Sequence, residues 1–179
     1  WKHRPLAIGT AWYRFIGKAA LAMLGDSVGR QLAPCQLAVG ISDGISIGAK
    51  LLQHLRNVPE NVILSLDISN AFNSLRRNRI LEGLCQYAPS LIPFYKWSYS
   101  NPTQVRSSDG SLCCHAETGT RQGDPLSMLF FSVGIHQRIL QLSERIQSLN
   151  PENLIKAYAD DMSLCLPRRQ LKAAWDIVA

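Results

Sequence analysis

The sequence predicts an α+β domain in which helices pack against one face of a small antiparallel sheet. Three observations carry that expectation. Apolar residues recur at helical spacing in several stretches, and short β-like runs lie near residues 62, 112, 155 and 163. The third is size: 179 residues, 46% hydrophobic and 18% charged, is too apolar for a disordered tail and too short for two ample domains. The longest apolar run, Leu126 to Leu142, is broken by Ser132, His136, Gln137, Arg138 and Gln141, so no membrane span is expected.

Trp12 to Gln31 reads as a helix that buries Phe15, Ile16, Ala19, Ala20, Met23 and Leu24, with Pro34 ending it. The glycine-rich passage Gly40 to Gly44 leads into a second helix, Ile45 to Leu55, with Ile47, Leu51, Leu52 and Leu55 on its apolar side. Val62 to Leu66 has the apolar, β-branched character of a buried strand and ends in Asp67. A helix from Asn73 or Ser74 to Tyr87 follows, burying Leu75, Ile80, Leu81, Leu84 and Cys85 and turning Arg76, Arg77 and Arg79 outward. Pro89 and Pro93 bracket a turn into a short helix ending near Tyr99. Thr103 to Ser107 and Leu112 to Glu117 form a hairpin around Asp109-Gly110, a pair suited to the positive φ of a tight turn. After the Gly119 to Gly123 loop, Asp124-Pro125 starts a helix whose buried side is Leu126, Leu129, Phe130, Val133, Ile139, Leu140 and Ile146. The last unit, Ile155 to Leu166, is two β-like segments flanking Asp160-Asp161.

The formal charge is +6, with +4 in residues 1 to 60 and +1 in each of the two following thirds, so the N-terminal third is the better candidate for touching phosphates. Cys35, Cys85, Cys113, Cys114 and Cys165 form neither a zinc pattern nor a disulfide scaffold, which fits a reducing intracellular compartment. The start at Trp1 shows no secretory signal. His3, His54, His115 and His136 lack ligand spacing.

Two adjacent acids where apolar strands turn are the most informative local feature. At an effective dielectric of about 20, two negative charges about 4 Å apart repel by roughly 4 kcal/mol, which calls for solvent, a proton or a cation. By itself Asp160-Asp161 reads as a solvated turn; Asp67, which also ends a buried strand, changes the reading. Placed side by side in one sheet, the two segments bring Asp67 and Asp160-Asp161 to a common edge. An oxygen-only donor set of that kind suits Mg²⁺, and it could hold two ions about 3.5–4 Å apart to activate a hydroxyl and stabilise phosphate charge.

Three ordered segments sharpen this: Leu66-Asp67-Ile68-Ser69-Asn70-Ala71-Phe72, Gly119-Thr120-Arg121-Gln122-Gly123-Asp124-Pro125-Leu126-Ser127, and Tyr158-Ala159-Asp160-Asp161. Together they resemble a reverse transcriptase of the non-LTR retrotransposon type. Arg4-Pro5-Leu6-Ala7-Ile8 is similar to the fingers segment of that family, and Gln36 through Gly44 to the stretch before its first catalytic strand. The resemblance implies an incomplete reverse transcriptase core: part of the fingers in residues 1–60, a palm with a helix-packed antiparallel sheet in 61–179, and later palm and thumb absent. It implies RNA-directed DNA polymerisation, in which a primer 3′-hydroxyl is extended with dNTPs on an RNA template. Its cofactor would be two Mg²⁺ ions, with Mn²⁺ as a substitute.

Residue by residue, the resemblance makes Asp67 and Asp160 the principal metal carboxylates, Asp161 the third acid, and the Ile68 carbonyl a ligand of the nucleotide-side ion. Phe72 would lie beneath the incoming sugar and leave little room for a 2′-hydroxyl. Gln122 and Gly123 would steady nucleotide and template, and Arg4 would grip the triphosphate. Arg14, Lys18 and Arg121 are nucleic-acid contacts or, equally, ordinary surface or loop-orienting charges. The implied partners are RNA template, DNA primer, dNTPs and the missing polymerase segments, with no membrane; the implied location is nucleus or cytoplasm. Two alternatives stand beside this reading. An RNA-dependent RNA polymerase shares the two-metal logic but is disfavoured by Phe72 and Arg121-Gln122-Gly123, and an inactive polymerase-derived nucleic-acid-binding module is disfavoured by the intact acids.

Overall fold

The structure, a computed structural model, describes residues 8–178. In chain order it runs α1 (Ala11–Leu32), α2 (Gly44–Arg56), β1 (Asn61–Asp67), α3 (Ala71–Ser74), α4 (Arg77–Tyr87), a 3₁₀ turn at Pro89–Leu91, α5 (Ile92–Tyr99), β2 (Thr103–Arg106) and β3 (Leu112–Ala116). Then come α6 (Ser127–Gln147), β4 (Leu154–Tyr158), β5 (Asp161–Pro167), a second 3₁₀ turn and α7 (Leu171–Val178). The expected α+β class holds.

The central sheet is three-stranded and antiparallel, in the order β1-β5-β4. Alternation along the strands divides it into two unlike faces. Ile155, Ala157, Leu164 and Leu166, with Val62 and Leu64, pack against Ile139 and Ile146 of α6 and Ala174 of α7. On the other face Lys156, Tyr158, Ser163 and Asp161 join Leu37, Gly48 and Leu52 around an open cavity of about 360 Å³ beneath α2. Helices therefore meet both faces, where one was expected. The expected strand near 112 does not join this sheet; β2 and β3 form a separate exposed hairpin whose turn has Gly110 at φ 84°.

The second core lies between α6 and α4. Leu129, Phe130 and Val133 of α6 meet Ile80 and Leu84 of α4 and Tyr95 and Tyr99 of α5, and full burial of each such side chain is worth roughly 1.5–3 kcal/mol. The helices approach so closely that a Cβ on Gly83 would sit 2.2 Å from the Val133 carbonyl oxygen. No side chain fits there.

Several local expectations need correction. The helix expected from residue 73 or 74 is two helices, because Leu75 and Arg76 are extended (ψ 125° and 131°), which frees the Leu75 carbonyl to accept from Gly119 N–H at 2.8 Å. Arg77 does not face outward: its guanidinium donates to the carbonyls of Tyr99, Asn101, Ala116 and Gly119 at 2.9, 3.2, 2.7 and 3.4 Å. Cys85 is exposed. On α1 the expected buried set holds only in part: Ala20 and Leu24 pack against the core, whereas Phe15, Ile16, Ala19 and Met23 are exposed and the buried residues are Tyr13, Gly17, Gly25, Val28, Gly29 and Leu32. Ile47 of α2 is also exposed. Helix α6 begins at Ser127 rather than at Pro125, since the Asp124 side chain turns back to accept from Leu126 N–H at 2.9 Å.

Candidate active site

Strand β1 ends at Asp67 and β5 begins at Asp161, and the two are register partners. Directly opposed residues in an antiparallel pair send their side chains to the same face, with Cβ atoms about 4.5–5.5 Å apart. That face is the one bearing Lys156, Tyr158 and Ser163, away from α6. Asp160 occupies the second position of the two-residue turn between the paired Tyr158 and Asp161. The acids of the two segments thus share one end of the sheet, 93 positions apart in sequence for Asp67 and Asp160.

Asp67 and Asp161 are exposed and Asp160 half-buried. Their all-oxygen chemistry fits a hard divalent cation. Among the described residues, however, no group of three or more His, Cys, Asp or Glu converges closely enough to hold a metal ion. Like charges on a solvated edge have no reason to draw together until a cation offsets their repulsion.

The first turn position is Ala159, left-handed at φ 55°, a conformation that costs a residue with a Cβ about 1–2 kcal/mol. Its surroundings hold it there. Ala159 is buried in a small apolar cluster with Ala71 and Phe131, against which Ile68 and Phe72 also pack. The fully buried Gln36 bonds both polar atoms of the Ala159 backbone, accepting from its N–H at 2.8 Å and donating to its carbonyl at 3.3 Å. Ile68 and Phe72 of the first motif are thereby packed together with the turn of the third.

The Phe72 ring stacks on Phe131, centroids 4.6 Å apart and planes 23° apart. Its carbonyl accepts from Thr120 N–H at 2.7 Å, while Thr118 Oγ1 donates to Asn73 O at 2.7 Å. Gly119, at φ 65°, makes this possible, since a Cβ there would lie 2.2 Å from the Phe72 carbonyl oxygen. The loop carrying Gln122 and Gly123 is therefore fastened to the segment that follows Asp67. Gln122 is half-buried and Gly123 exposed.

Beyond this loop lies an aromatic and ionic cage. Asp124, almost entirely buried, accepts through one oxygen from the hydroxyls of Tyr13 (2.5 Å) and Tyr99 (2.6 Å). The same oxygen is 3.7 Å from the Arg121 guanidinium, which also donates to Tyr13 Oη at 3.1 Å and Ser98 O at 3.2 Å. That guanidinium lies 4.3 Å from the Tyr99 ring centroid and 5.1 Å from that of Tyr13. Burial, and then the Asp124 carboxylate, pushes both phenols far above the ordinary tyrosine range. Tyr95 next to them is pushed up to about 12 by burial. Arg121 is thus engaged inside the fold. Arg14 and Lys18 are exposed on α1, and Arg4 lies outside the described residues.

The sequence reading missed Gln36 as a side chain with partners at the turn, and Asp124 as anything more than a helix start. Gln36 carries no charge or spacing signal. Asp124 had one: it sits within a motif, next to a glycine and three residues from an arginine.

Solved structures place this architecture. The fold of this chain is similar to that of solved telomerase structures. The apo telomerase of Candida tropicalis, truncated from its C-terminal domain, superposes with a TM-score of 0.60 at 13% identity, over 93% of this chain and 37% of that one. The telomerase of Candida albicans, in complex with a TWJ fragment of telomeric RNA, gives 0.60 at 13% identity, over 91% and 31%. At that identity the likeness speaks for the fold alone.

The chain belongs to the reverse transcriptase (RNA-dependent DNA polymerase) family, whose sequence model matches residues 2–179. It is 27% identical over 179 residues to the retrotransposable element SLACS 132 kDa protein of Trypanosoma brucei gambiense, covering 96% of this chain and 14% of that protein. The retrotransposon resemblance read from the motifs is borne out. The chain spans only that small share of this relative's length.

Proposed function

We propose that this chain is the catalytic core of an RNA-directed DNA polymerase, with residues 61–179 forming the palm and 1–60 part of the fingers. The observation that carries the reading is the register pairing of Asp67 with Asp161 beside the Asp160 turn, in a chain of the reverse transcriptase family. A primer 3′-hydroxyl attacks the α-phosphorus of a dNTP; a new P–O bond forms and pyrophosphate leaves. Two Mg²⁺ ions, or Mn²⁺ in their place, would supply hydroxyl activation and neutralise charge on the phosphates when bound.

The chain's own residues bind and orient. Asp67 and Asp160 are the principal carboxylates, Asp161 the third acid, and the Ile68 carbonyl an additional oxygen. Phe72, backed by Phe131, forms a rigid floor beneath the sugar. Gln122 and Gly123 offer an adaptable amide and a close backbone approach to the base pair. Arg4 pairs with the triphosphate, and the exposed Arg14 and Lys18 are proposed contacts to the nucleic-acid backbone. RNA template and DNA primer are the proposed partners; base pairing supplies sequence selectivity, and binding should weaken steeply with salt.

The test is primer extension on an RNA template by the full-length protein that carries these residues, with dNTPs and NTPs compared. Asp67→Asn and Asp160→Asn should each nearly abolish extension in a folded protein. Normal extension by either would remove its role, preference for NTPs would favour an RNA polymerase, and binding without extension an inactive module.

A further inference from the structure

We propose that Gln36 is a positioning residue for catalysis: its side chain sets the Ala159-Asp160 turn and so the placement of Asp160 and Asp161 at the end of the sheet they share with Asp67. The role in catalysis rests on the polymerase reading above. Gln36 has no exposed surface and lies 123 residues from Ala159. Its Oε1 accepts from Ala159 N–H at 2.8 Å and from Ala38 N–H at 3.2 Å, and its Nε2 donates to the Ala159 carbonyl at 3.3 Å. These partners fix the amide orientation, since a flipped amide would turn its donors toward two backbone N–H groups.

The bonded atoms matter. Ala159 sits in a turn, and its N–H and C=O are buried with no place in the β4–β5 ladder. One side chain satisfies both. The Ala159 carbonyl belongs to the peptide unit that enters Asp160, so fixing it fixes the plane from which the Asp160 side chain departs. Gln36 also satisfies Ala159 in a left-handed conformation that glycine would normally supply.

The clamp is itself fixed. Ala157 N–H donates to Cys35 O at 2.7 Å and Leu37 N–H to Ala157 O at 2.8 Å, so residues 35–37 run parallel to β4 at its open edge. Upstream, Gln36 N–H donates to Leu32 O at 3.1 Å. Downstream, Gly40 presses on α1, where a Cβ would lie 1.9 Å from the Gly25 carbonyl oxygen. The end of α1 therefore dictates where Gln36 lies. Nothing in this arrangement places Gln36 on substrate.

Gln36→Met keeps the shape and removes every side-chain hydrogen bond; Gln36→Glu keeps the acceptor and removes the donor. Primer extension should be measured for both in the full-length protein, beside Ile146→Val as a packing control in the α6 core. A displacement of about 1 Å at reacting groups can cost about 100-fold. We expect Gln36→Met to lower kcat at least about tenfold, with KM for dNTP and Kd for primer–template within about twofold. Gln36→Glu should fall between, and Ile146→Val should keep kcat within about twofold even where its Tm loss is as large. Amide exchange gives a readout without turnover: Gln36→Met should lose protection at Ala159 but not at Leu164. An unchanged kcat in folded Gln36→Met, or unchanged exchange at Ala159, overturns the proposal. If Gln36→Met does not fold, the same criteria apply to Gln36→Glu. Should the wild-type protein extend no primer, the polymerase reading fails, and exchange at Ala159 alone decides whether the clamp sets the turn.

Discussion

Replacing Asp124 with Asn tests whether the buried cage is as strong as its geometry implies. The wild-type carboxylate accepts three hydrogen bonds, one from Leu126 N–H and two from the tyrosine hydroxyls, and faces Arg121 at 3.7 Å. An amide of the same shape has one acceptor oxygen. If that oxygen keeps Leu126, the new NH₂ meets two hydroxyls that were donating, and the Tyr99 hydroxyl already accepts from Arg121 N–H at 3.1 Å. At least one charge-assisted bond is lost, worth about 1.5–3 kcal/mol, and a partly buried guanidinium loses its counter-charge. We expect about 3 kcal/mol of destabilisation. With about 2–4 °C per kcal/mol for a chain of this length, Tm should fall by about 6–12 °C. Urea and thermal unfolding of wild type, Asp124→Asn, Tyr13→Phe and the double variant give the coupling directly. A loss under about 0.5 kcal/mol, or additivity of the two substitutions, would refute the argument that this carboxylate organises its neighbours.

Phe72→Val should raise incorporation of NTPs relative to dNTPs at least about tenfold if its ring excludes a 2′-hydroxyl, and competitive extension assays would show no change if Phe72 only packs against Phe131. Tyr13, Tyr95 and Tyr99 have phenol pKa values raised in the folded state, so their contribution to stability is complete below the unfolded value near 10 and is lost as pH rises above it. Alkaline titration should therefore show tyrosinate absorbance from these residues rising together with unfolding, and ordinary titration of all the tyrosines in the native state would contradict this. Arg77→Lys should cost nearly as much as Arg77→Ala, about 2–4 kcal/mol by urea midpoint, because one ammonium cannot reach four carbonyls that a planar guanidinium spans; recovery of most of the stability by Lys would sink that account.

What the sequence made legible was whatever repeats a local rule. Strand β1, both halves of the β4–β5 hairpin and the buried side of α6 lie where apolar patterning put them, and the acids at the strand ends follow from register. What stayed hidden depended on close approach. On helix α1, Phe15, Ile16 and Met23 look like part of a core stripe but are exposed, whereas the buried Gly17, Gly25 and Gly29 carry no hydrophobic signal; at Gly29 another stretch of backbone draws so near that a Cβ would lie 2.3 Å from the Val39 carbonyl oxygen. Arg77 was turned outward for a related reason. Charge suggests solvent, and no local pattern announces four carbonyls gathered from α5, the connection after it, β3 and the loop at Gly119.

These hidden contacts bear on function because they span the distances that the motifs do not. The sheet alone pairs Asp67 with Asp161, but it leaves the turn residues and the Gln122 loop free to vary. Packing of Ala159 beside Ile68, Phe72 and Phe131 joins the turn to the stacked Phe72–Phe131 floor, and Thr120 on the Phe72 carbonyl joins that floor to the loop. A substitution that loosens either join should spare secondary structure, since neither belongs to the β1–β5–β4 ladder. It should instead alter the relative placement of acids, aromatic floor and loop, so its signature is a fall in turnover larger than its effect on Tm. Asp124 stands apart from both joins. Its cage holds α1, α5 and the start of α6 together, so a change there should lower stability first and reach chemistry only through Arg121 and the loop.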